Sequence, residues 1–256
     1  MTGGTVRSGT ASGLDLRLED VGLAYPTPGG SRQVVAGVSA HVPPGGILAL
    51  LGRSGSGKST LLNLAAGLLA PTSGRIVQSA VPRTGYVFQD ARLLPWLTLH
   101  ENLALVCPPE FHADIPGTLA LVGLAGRDHD RPGQLSLGMA QRAAVARALV
   151  VRPDLLLLDE PCGALDELTA AELRAELGDL LRRRPATTLL VTHHPGEAVQ
   201  LADRVLVLGG TPTGVAGTQD IDLPRPRDPD DPATLPLLRE VRAILRRADG
   251  SPGASA

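Results

Sequence analysis

Cysteine is scarce in this chain of 256 residues. Cys107 and Cys162 stand far apart and in no C-x-x-C arrangement. That argues against a structural zinc site and against a disulfide framework, and it fits a reducing compartment. No run approaches the roughly 18 consecutive apolar residues of a membrane-spanning helix, so work at a membrane would require another chain to do the spanning. Residues 1–13 are rich in Gly, Thr and Ser and have no apolar stretch. They read as a disordered lead-in and not as a secretory signal. Excess positive charge is also missing: 24 Lys and Arg face 26 Asp and Glu, for a net charge of −2. That balance excludes an extended nucleic-acid surface as the main partner. Aromatics make up only 2% of the chain. The most pointed shortage is lysine. Lys58 is the only one, and every other basic side chain is arginine.

What is present suits a large α/β core, with 43% hydrophobic residues. The lone lysine lies in GRSGSGKST, comprising Gly52, Arg53, Ser54, Gly55, Ser56, Gly57, Lys58, Ser59 and Thr60. An apolar run, Ile47 to Leu51, precedes it and reads as a buried strand; Leu61 to Ala66 follows and reads as a helix. Strand, glycine-rich loop and helix are the setting that the phosphate-loop pattern G-x-x-x-x-G-K-[ST] requires. The glycines let several N–H groups turn toward one anion, and the helix adds its positive end. Lys58 is placed to reach the β- and γ-phosphates, and the Ser59 hydroxyl to hold Mg²⁺. A compact ammonium is kept where a planar guanidinium would not replace it.

Along the chain, Leu14–Leu18 and Val21–Tyr25 read as one strand ending in a loop over Pro26–Gly30, and Val34–Val42 as the next. Short strands are expected at Arg75–Val77 and Gly85–Gln89. From Asp90 to Arg152 only helices and loops are expected, with Thr98 and Glu101 spaced as a capping box and Ser136 capping a helix that runs to Val151. Strand texture returns at Leu155–Leu158, whose apolar run suits a parallel strand covered on both faces. A helix at Glu167–Arg184, a strand at Thr187–Thr192, a helix at Pro195–Ala202 and a strand at Arg204–Leu208 follow. The expected division is a nucleotide-binding domain over 14–215, holding a helical subdomain at about 90–152, then a Pro/Asp/Arg-rich tail over 216–256. Leu235, Leu238, Val241 and Leu245 mark one amphipathic helix in that tail, which either packs back on the domain or binds a partner.

Asp159 and Glu160 close the Leu-rich strand. The first is placed as an acid that fixes Mg²⁺ through water, the second as a general base for the attacking water. With these residues in place, the chain from Leu14 to Gly210 resembles the ATP-binding subunit of an ABC transporter. The segment Gly52–Thr60 resembles the Walker A loop, and Leu155–Pro161 resembles Walker B. Gln89 matches the Q-loop glutamine, which in the family senses Mg²⁺ and water. Gly163–Asp166 matches the D-loop, and His193 the switch histidine that contacts the γ-phosphate; His194 stands where an acid is more usual. Tyr25 matches the aromatic that stacks on adenine. Leu135–Met139, LSLGM, departs from the family's LSGGQ and keeps Ser136 and Gly138.

The resemblance implies a P-loop NTPase sheet core with an inserted helical subdomain and a small antiparallel β part near the N-terminus. It implies an ATPase using ATP and Mg²⁺, paired head to tail as a homodimer, with Ser136 and Gly138 of one subunit closing over the nucleotide of the other. Partners implied are integral-membrane permease subunits and, indirectly, an extracytoplasmic solute-binding protein, with the chain on the cytoplasmic face of the membrane. Arg92–Leu103 and LPRPRD in the tail resemble the nitrate, sulfonate and taurine import group. Trp96 lies beside the Gln89 loop, where it either meets the permease or simply packs. Two other readings are a soluble ABC ATPase of DNA repair or translation and a catalytically degenerate regulatory subunit. Leu137 is expected in an ordinary helical or bridge conformation, because a left-handed backbone would cost leucine about 1–2 kcal/mol. Gly138 is then left to make the close approach.

Overall fold

A computed structural model describes residues 14–250. The expected lead-in at 1–13 lies outside them. Two sheets form the frame. In the smaller, β1 (Leu16–Thr27) pairs antiparallel with β2 (Gly30–Val42) on one side and with β4 (Ser73–Gln78) on the other. The larger sheet contains β3 (Ile47–Leu51), β5 (Thr84–Val87), β6 (Leu155–Asp159), β7 (Thr187–Thr192), β8 (Arg204–Gly209) and β9 (Gly214–Asp220). Its order is β5-β6-β7-β3-β8-β9, parallel throughout except for the final antiparallel pair.

The three middle strands of that sheet, β6, β7 and β3, are buried at every residue. Both their faces are covered, which is why β3 and Leu155–Leu158 of β6 read as unbroken apolar runs, while β7 adds three buried threonines. Alternate residues serve two cores. Leu48, Leu50, Leu155, Leu157, Leu189 and Val191 pack with α1 (Lys58–Ala65) and the smaller sheet. Ala49, Leu51, Leu156, Leu158 and Leu190 face the opposite core, which holds α4 (Leu137–Val150), α5 (Glu167–Arg183) and α6 (Pro195–Leu201). Between residues 90 and 152 the described structure is helices and turns alone, including α2 (Leu99–Ala104) and α3 (Ile115–Leu121). Thr98 closes the expected capping box: its hydroxyl accepts from the Glu101 N–H, and the Glu101 carboxylate accepts the Thr98 N–H at 2.7 Å.

Two elements differ from expectation. The strand β1 continues through Pro26 to Thr27, where a loop was expected, and Pro26 sits opposite Ser31 of β2. Its pairing with β4 ends at Gly22, and past Ala24, whose N–H donates to the Thr72 hydroxyl at 3.0 Å, no described strand pairs with that edge. A proline without an N–H costs little there. The strand β9 was not foreseen, and the expected start of the tail at 216 lies inside it. GVAGTQD is an edge strand, largely exposed, with no apolar alternation to announce it.

The glycines of this corner make room for α7 (Thr234–Ala248). A Cβ on Gly217 would meet the Ile244 side chain at 2.6 Å, and one on Gly209 would meet Ala248 at 2.8 Å. Val241 is fully buried, and Leu237, Leu238, Ile244 and Leu245 pack against the core. The amphipathic helix therefore packs back on β8, β9 and α6. Among the described residues no helix is long and apolar enough to cross a membrane.

Gly217→Val should lower the free energy of unfolding in urea by about 1–3 kcal/mol through overpacking against Ile244. Gly29→Ala, where an added Cβ meets nothing within 4 Å, should stay within about 0.5 kcal/mol.

Candidate active site

Strand β3 delivers the chain into the glycine loop. Gly55 and Gly57 take left-handed backbones, with φ of 79° and 73°, which glycine adopts at little cost. Gly57 is the N-cap of α1, so Lys58 is the first residue of that helix and its N–H groups open toward the loop. The Lys58 side chain is only 4% exposed. Its ammonium curls back to donate to the carbonyls of Gly52 and Arg53, both at 2.8 Å, and lies 3.7 Å from Glu160 Oε1. One residue on, the Ser59 hydroxyl donates to Asp159 Oδ1 at 3.1 Å.

The parallel register brings these groups together. Leu51 is level with Thr192, and Asp159 with Val191, so β3, β7 and β6 end side by side. Glu160 then leaves the strand with φ of 47°, and its N–H donates to the Val191 carbonyl at 2.9 Å. A left-handed glutamate costs of order 1–3 kcal/mol and persists where its surroundings over-determine it. That turn sends the carboxylate across to His193, whose Nδ1 lies 2.9 Å from Glu160 Oε2. A carboxylate only accepts, so the imidazole donates from Nδ1 and keeps Nε2 as its acceptor. Lys58, Ser59, Asp159, Glu160 and His193 thus form one connected group.

Burial holds the Lys58 ammonium below the usual lysine range, opposed by the charges of Glu160 and Asp159. Burial also raises the Asp159 carboxyl, with the Ser59 hydroxyl working the other way and the Glu160 charge adding to the rise. A carboxylate destabilised in this way gains from a cation beside it. A hydroxyl and a carboxylate oxygen are the hard donors that Mg²⁺ takes, usually with water completing its shell.

Beside the loop lies a cavity of about 380 Å³, walled by Arg53–Ser56, by Arg32–Val34 of β2 and by the turn over Leu208–Thr213. The Ser56 hydroxyl on its wall is buried and has no partner among the described residues. A polyanion seated in the loop would meet an idle donor there.

The remaining expected residues stand apart from this group. Tyr25 is 43% exposed near the end of β1, opposite Arg32 on the cavity wall. Gln89 is exposed just past β5. Asp166 caps α5 by accepting the Thr169 N–H at 3.1 Å. Ser136 caps α4 by accepting from Met139, and Leu137 is the first helical residue and is not left-handed. A Cβ on Gly138 would meet the Thr169 methyl at 2.7 Å, so the close approach at Gly138 is to α5 of its own chain. Among the described residues no hydrogen bond joins Tyr25, Gln89, Ser136, Gly138 or Asp166 to the Lys58 group.

Glu197 was not anticipated. In the sequence it looks like an ordinary first-turn glutamate. In the fold it is 3% exposed, and its Oε1 has no partner among the described residues. It lines a second cavity of about 200 Å³ together with Glu160, Cys162, Arg174 and both His193 and His194. Burial raises the Glu197 carboxyl and, in the main, the Cys162 thiol as well. The only sequence signal was an acid one turn beyond a histidine pair on a helix that starts with proline.

Residues 35–163 match the profile of the family described as ABC transporter. The chain is 43% identical over 232 residues to the aliphatic sulfonates import ATP-binding protein SsuB of Pseudomonas putida, covering 88% of this chain and 84% of that protein. The SsuB of Ralstonia nicotianae is 44% identical over 228 residues, covering 86% and 80%. The chain belongs to the ABC transporter family. As a member it is a nucleotide-binding ATPase. Solved ABC cassettes share its fold. A dimeric ATP-binding cassette in a post-hydrolysis state bound to ADP and Pi superposes with a TM-score of 0.71 at 27% identity, covering 81% of this chain and 99% of that one. A component of the CbiONQ ABC transporter complex from Clostridium perfringens gives a TM-score of 0.70 at 25% identity, with 80% and 88% covered.

The raised Glu197 carboxyl has a consequence for stability. It keeps its proton to a higher pH in the fold than in the unfolded chain, so the folded state loses stability as pH rises through the folded value. Glu197→Gln removes that cost. Its melting temperature should exceed the wild-type value by about 2–4 °C at pH 8, and thermal melts should show the gap closing as the buffer is taken toward pH 4.

Proposed function

We propose that this chain is the ATP-hydrolysing subunit of an importer for nitrate, sulfonate, taurine or a similar small solute. The observation that carries it is the connected row Lys58, Glu160 and His193, with Ser59 and Asp159 beside it. Lys58 would exchange its bonds to the Gly52 and Arg53 carbonyls for phosphate oxygens. Glu160 has an ammonium near one oxygen and an imidazole N–H on the other. As a carboxylate it can take a proton from the attacking water as general base. Ser59 and Asp159 would hold Mg²⁺, with Gln89 completing its surroundings. The ion would supply charge neutralisation on the phosphates.

Tyr25 is assigned to the adenine, and Ser54, Gly55, Ser56 and Thr60 to the phosphates with the rest of the loop. Ser136, Gly138 and Asp166 are assigned to a head-to-tail homodimer, in which the exposed start of α4 meets the partner's nucleotide through its free N–H groups. The domain would comprise residues 14–215 together with the rest of β9 and α7, with 90–152 as its helical subdomain. Trp96, Leu105 and Val106 of the helical segment are exposed, Trp96 at 66%. These apolar side chains are assigned to a cytoplasmic helix of the permease, with the chain on the cytoplasmic face of the membrane. An extracytoplasmic solute-binding protein would deliver the solute. The sulfonate assignment rests on the relatives' names and on the LPRPRD and Arg92–Leu103 segments.

Glu160→Gln should lower ATP turnover by roughly 10²–10⁴-fold, the usual contribution of a general base, while nucleotide binding persists. Size-exclusion chromatography with Mg²⁺ and ATP should show the variant as a stable dimer. Undiminished turnover, or failure of the wild-type protein to bind ATP, would overturn the assignment.

A further inference from the structure

The histidine after His193 is placed for a different task. His194 is the N-cap of α6, and its Nδ1 accepts the Glu197 N–H at 3.3 Å. Its own N–H donates to the Thr192 hydroxyl at 2.9 Å. The ring lies against Gly196, where an added Cβ would come within 3.0 Å of Cε1 and 3.2 Å of Nδ1. Pro195 has no N–H to offer, and α6 is only seven residues long. A helix so short depends on its caps. The same turn carries His193, whose Nδ1 meets Glu160 at 2.9 Å.

We propose that His194 is a positioning residue for hydrolysis: its neutral imidazole caps α6 through Nδ1 and so holds His193 against Glu160, and a proton taken up at Nδ1 releases that hold. The chemistry of the cap is one-way. Nδ1 can accept only while the ring proton is on Nε2. Protonation turns the acceptor into a donor pointed at another donor, the Glu197 N–H. The groups facing the ring decide how readily this happens. Arg174 and Glu167 face it from α5, paired with each other at 2.7 Å. Glu197 belongs to α6, Arg242 comes from α7, and His193 precedes it in the turn. Glu160 and Cys162 line the same cavity from the turn after β6. Burial first, and Arg174 next, lower the affinity of the ring for a proton. The cap therefore holds at neutral pH and gives way on the acid side of ordinary histidine titration, about 6.5.

The proposal rests on Glu160 and His193 acting as described above, so the test reads the cap separately from turnover. ATP turnover is measured against pH for the purified wild type, His194→Asn and His194→Ala. Asparagine caps helices well and does not titrate in this range. Wild-type kcat should fall on the acid side with little change in KM for ATP. His194→Asn should keep the alkaline kcat within about threefold and lose that acid limb. His194→Ala should lower kcat roughly fivefold at alkaline pH and converge on the wild type on the acid side, where the wild-type cap is lost as well. If His194→Asn fails to fold by circular dichroism, His194→Asp supplies a non-titrating cap in its place. Imidazole ¹⁵N signals of wild-type protein at pH 8 should show His194 as the Nε2–H tautomer, losing that signature across the same pH range as kcat. An acid limb unchanged in the Asn or Asp variant overturns the proposal, as does a proton on Nδ1 at pH 8. A chain that hydrolyses no ATP would sink the reading of Glu160, while the imidazole signal would still decide the cap.

Discussion

The buried ammonium of Lys58 is the constraint on which the rest of the site depends. Removing a charge from water costs several kcal/mol after relaxation, and the cost is offset only by close, well-directed partners. Here two loop carbonyls at 2.8 Å and the Glu160 carboxylate at 3.7 Å supply them. The carbonyls exist because the glycines let the loop turn back on its own helix. The carboxylate is present because β6, β7 and β3 end level. Side chains alternate along a strand, so a slip of one residue would turn Asp159 to the other face. Sheet register and charge placement are in this sense one requirement.

Parts of this were legible before the fold. Lysine occurs once in the sequence, and the glycines around it left little room for another use. Leu155–Leu158 announced a covered strand through its unbroken apolar texture, and the Thr98–Glu101 spacing announced its own helix start. Side-chain pairings carried no such signal. Glu160 bonded to His193 at a separation of 33 residues, and Glu197 buried with one carboxyl oxygen unpartnered among the described residues, follow from where strands end in space. Strand β9 was hidden for a simpler reason. Its Gly217 admits Ile244 of α7, and a residue that leaves space advertises nothing about the element it belongs to.

The tail is tied to the same machinery. Arg227, in the LPRPRD segment, is 6% exposed and donates to the carbonyls of Val199 and Ala202 at the C-terminal end of α6. Its other donors reach the carbonyls of Ile221 and Leu223, and Asp203 lies 3.7 Å away. A guanidinium is suited to this, since its five donors fan out in one plane and the last carbonyls of a helix lack partners. The short helix that follows the histidine pair is thus held at both ends, by an imidazole at its start and a guanidinium at its finish. This gives the arginine of that segment a physical role in supporting α6.

The LSLGM segment can be judged in the same terms. A substitution at a glycine matters most where the backbone is left-handed or where another segment passes close by. Leu137 meets neither condition: it opens α4 in an ordinary helical conformation and is 59% exposed. Gly138 meets the second, since a Cβ there would press on Thr169 at 2.7 Å. Ser136 still caps the helix through its hydroxyl. The two positions with a geometric demand therefore keep the family's residues, and Leu137, one of the two that changed, has none. What leucine alters is the surface shown at the helix start, adding an isobutyl group beside N–H groups that remain open to an anion.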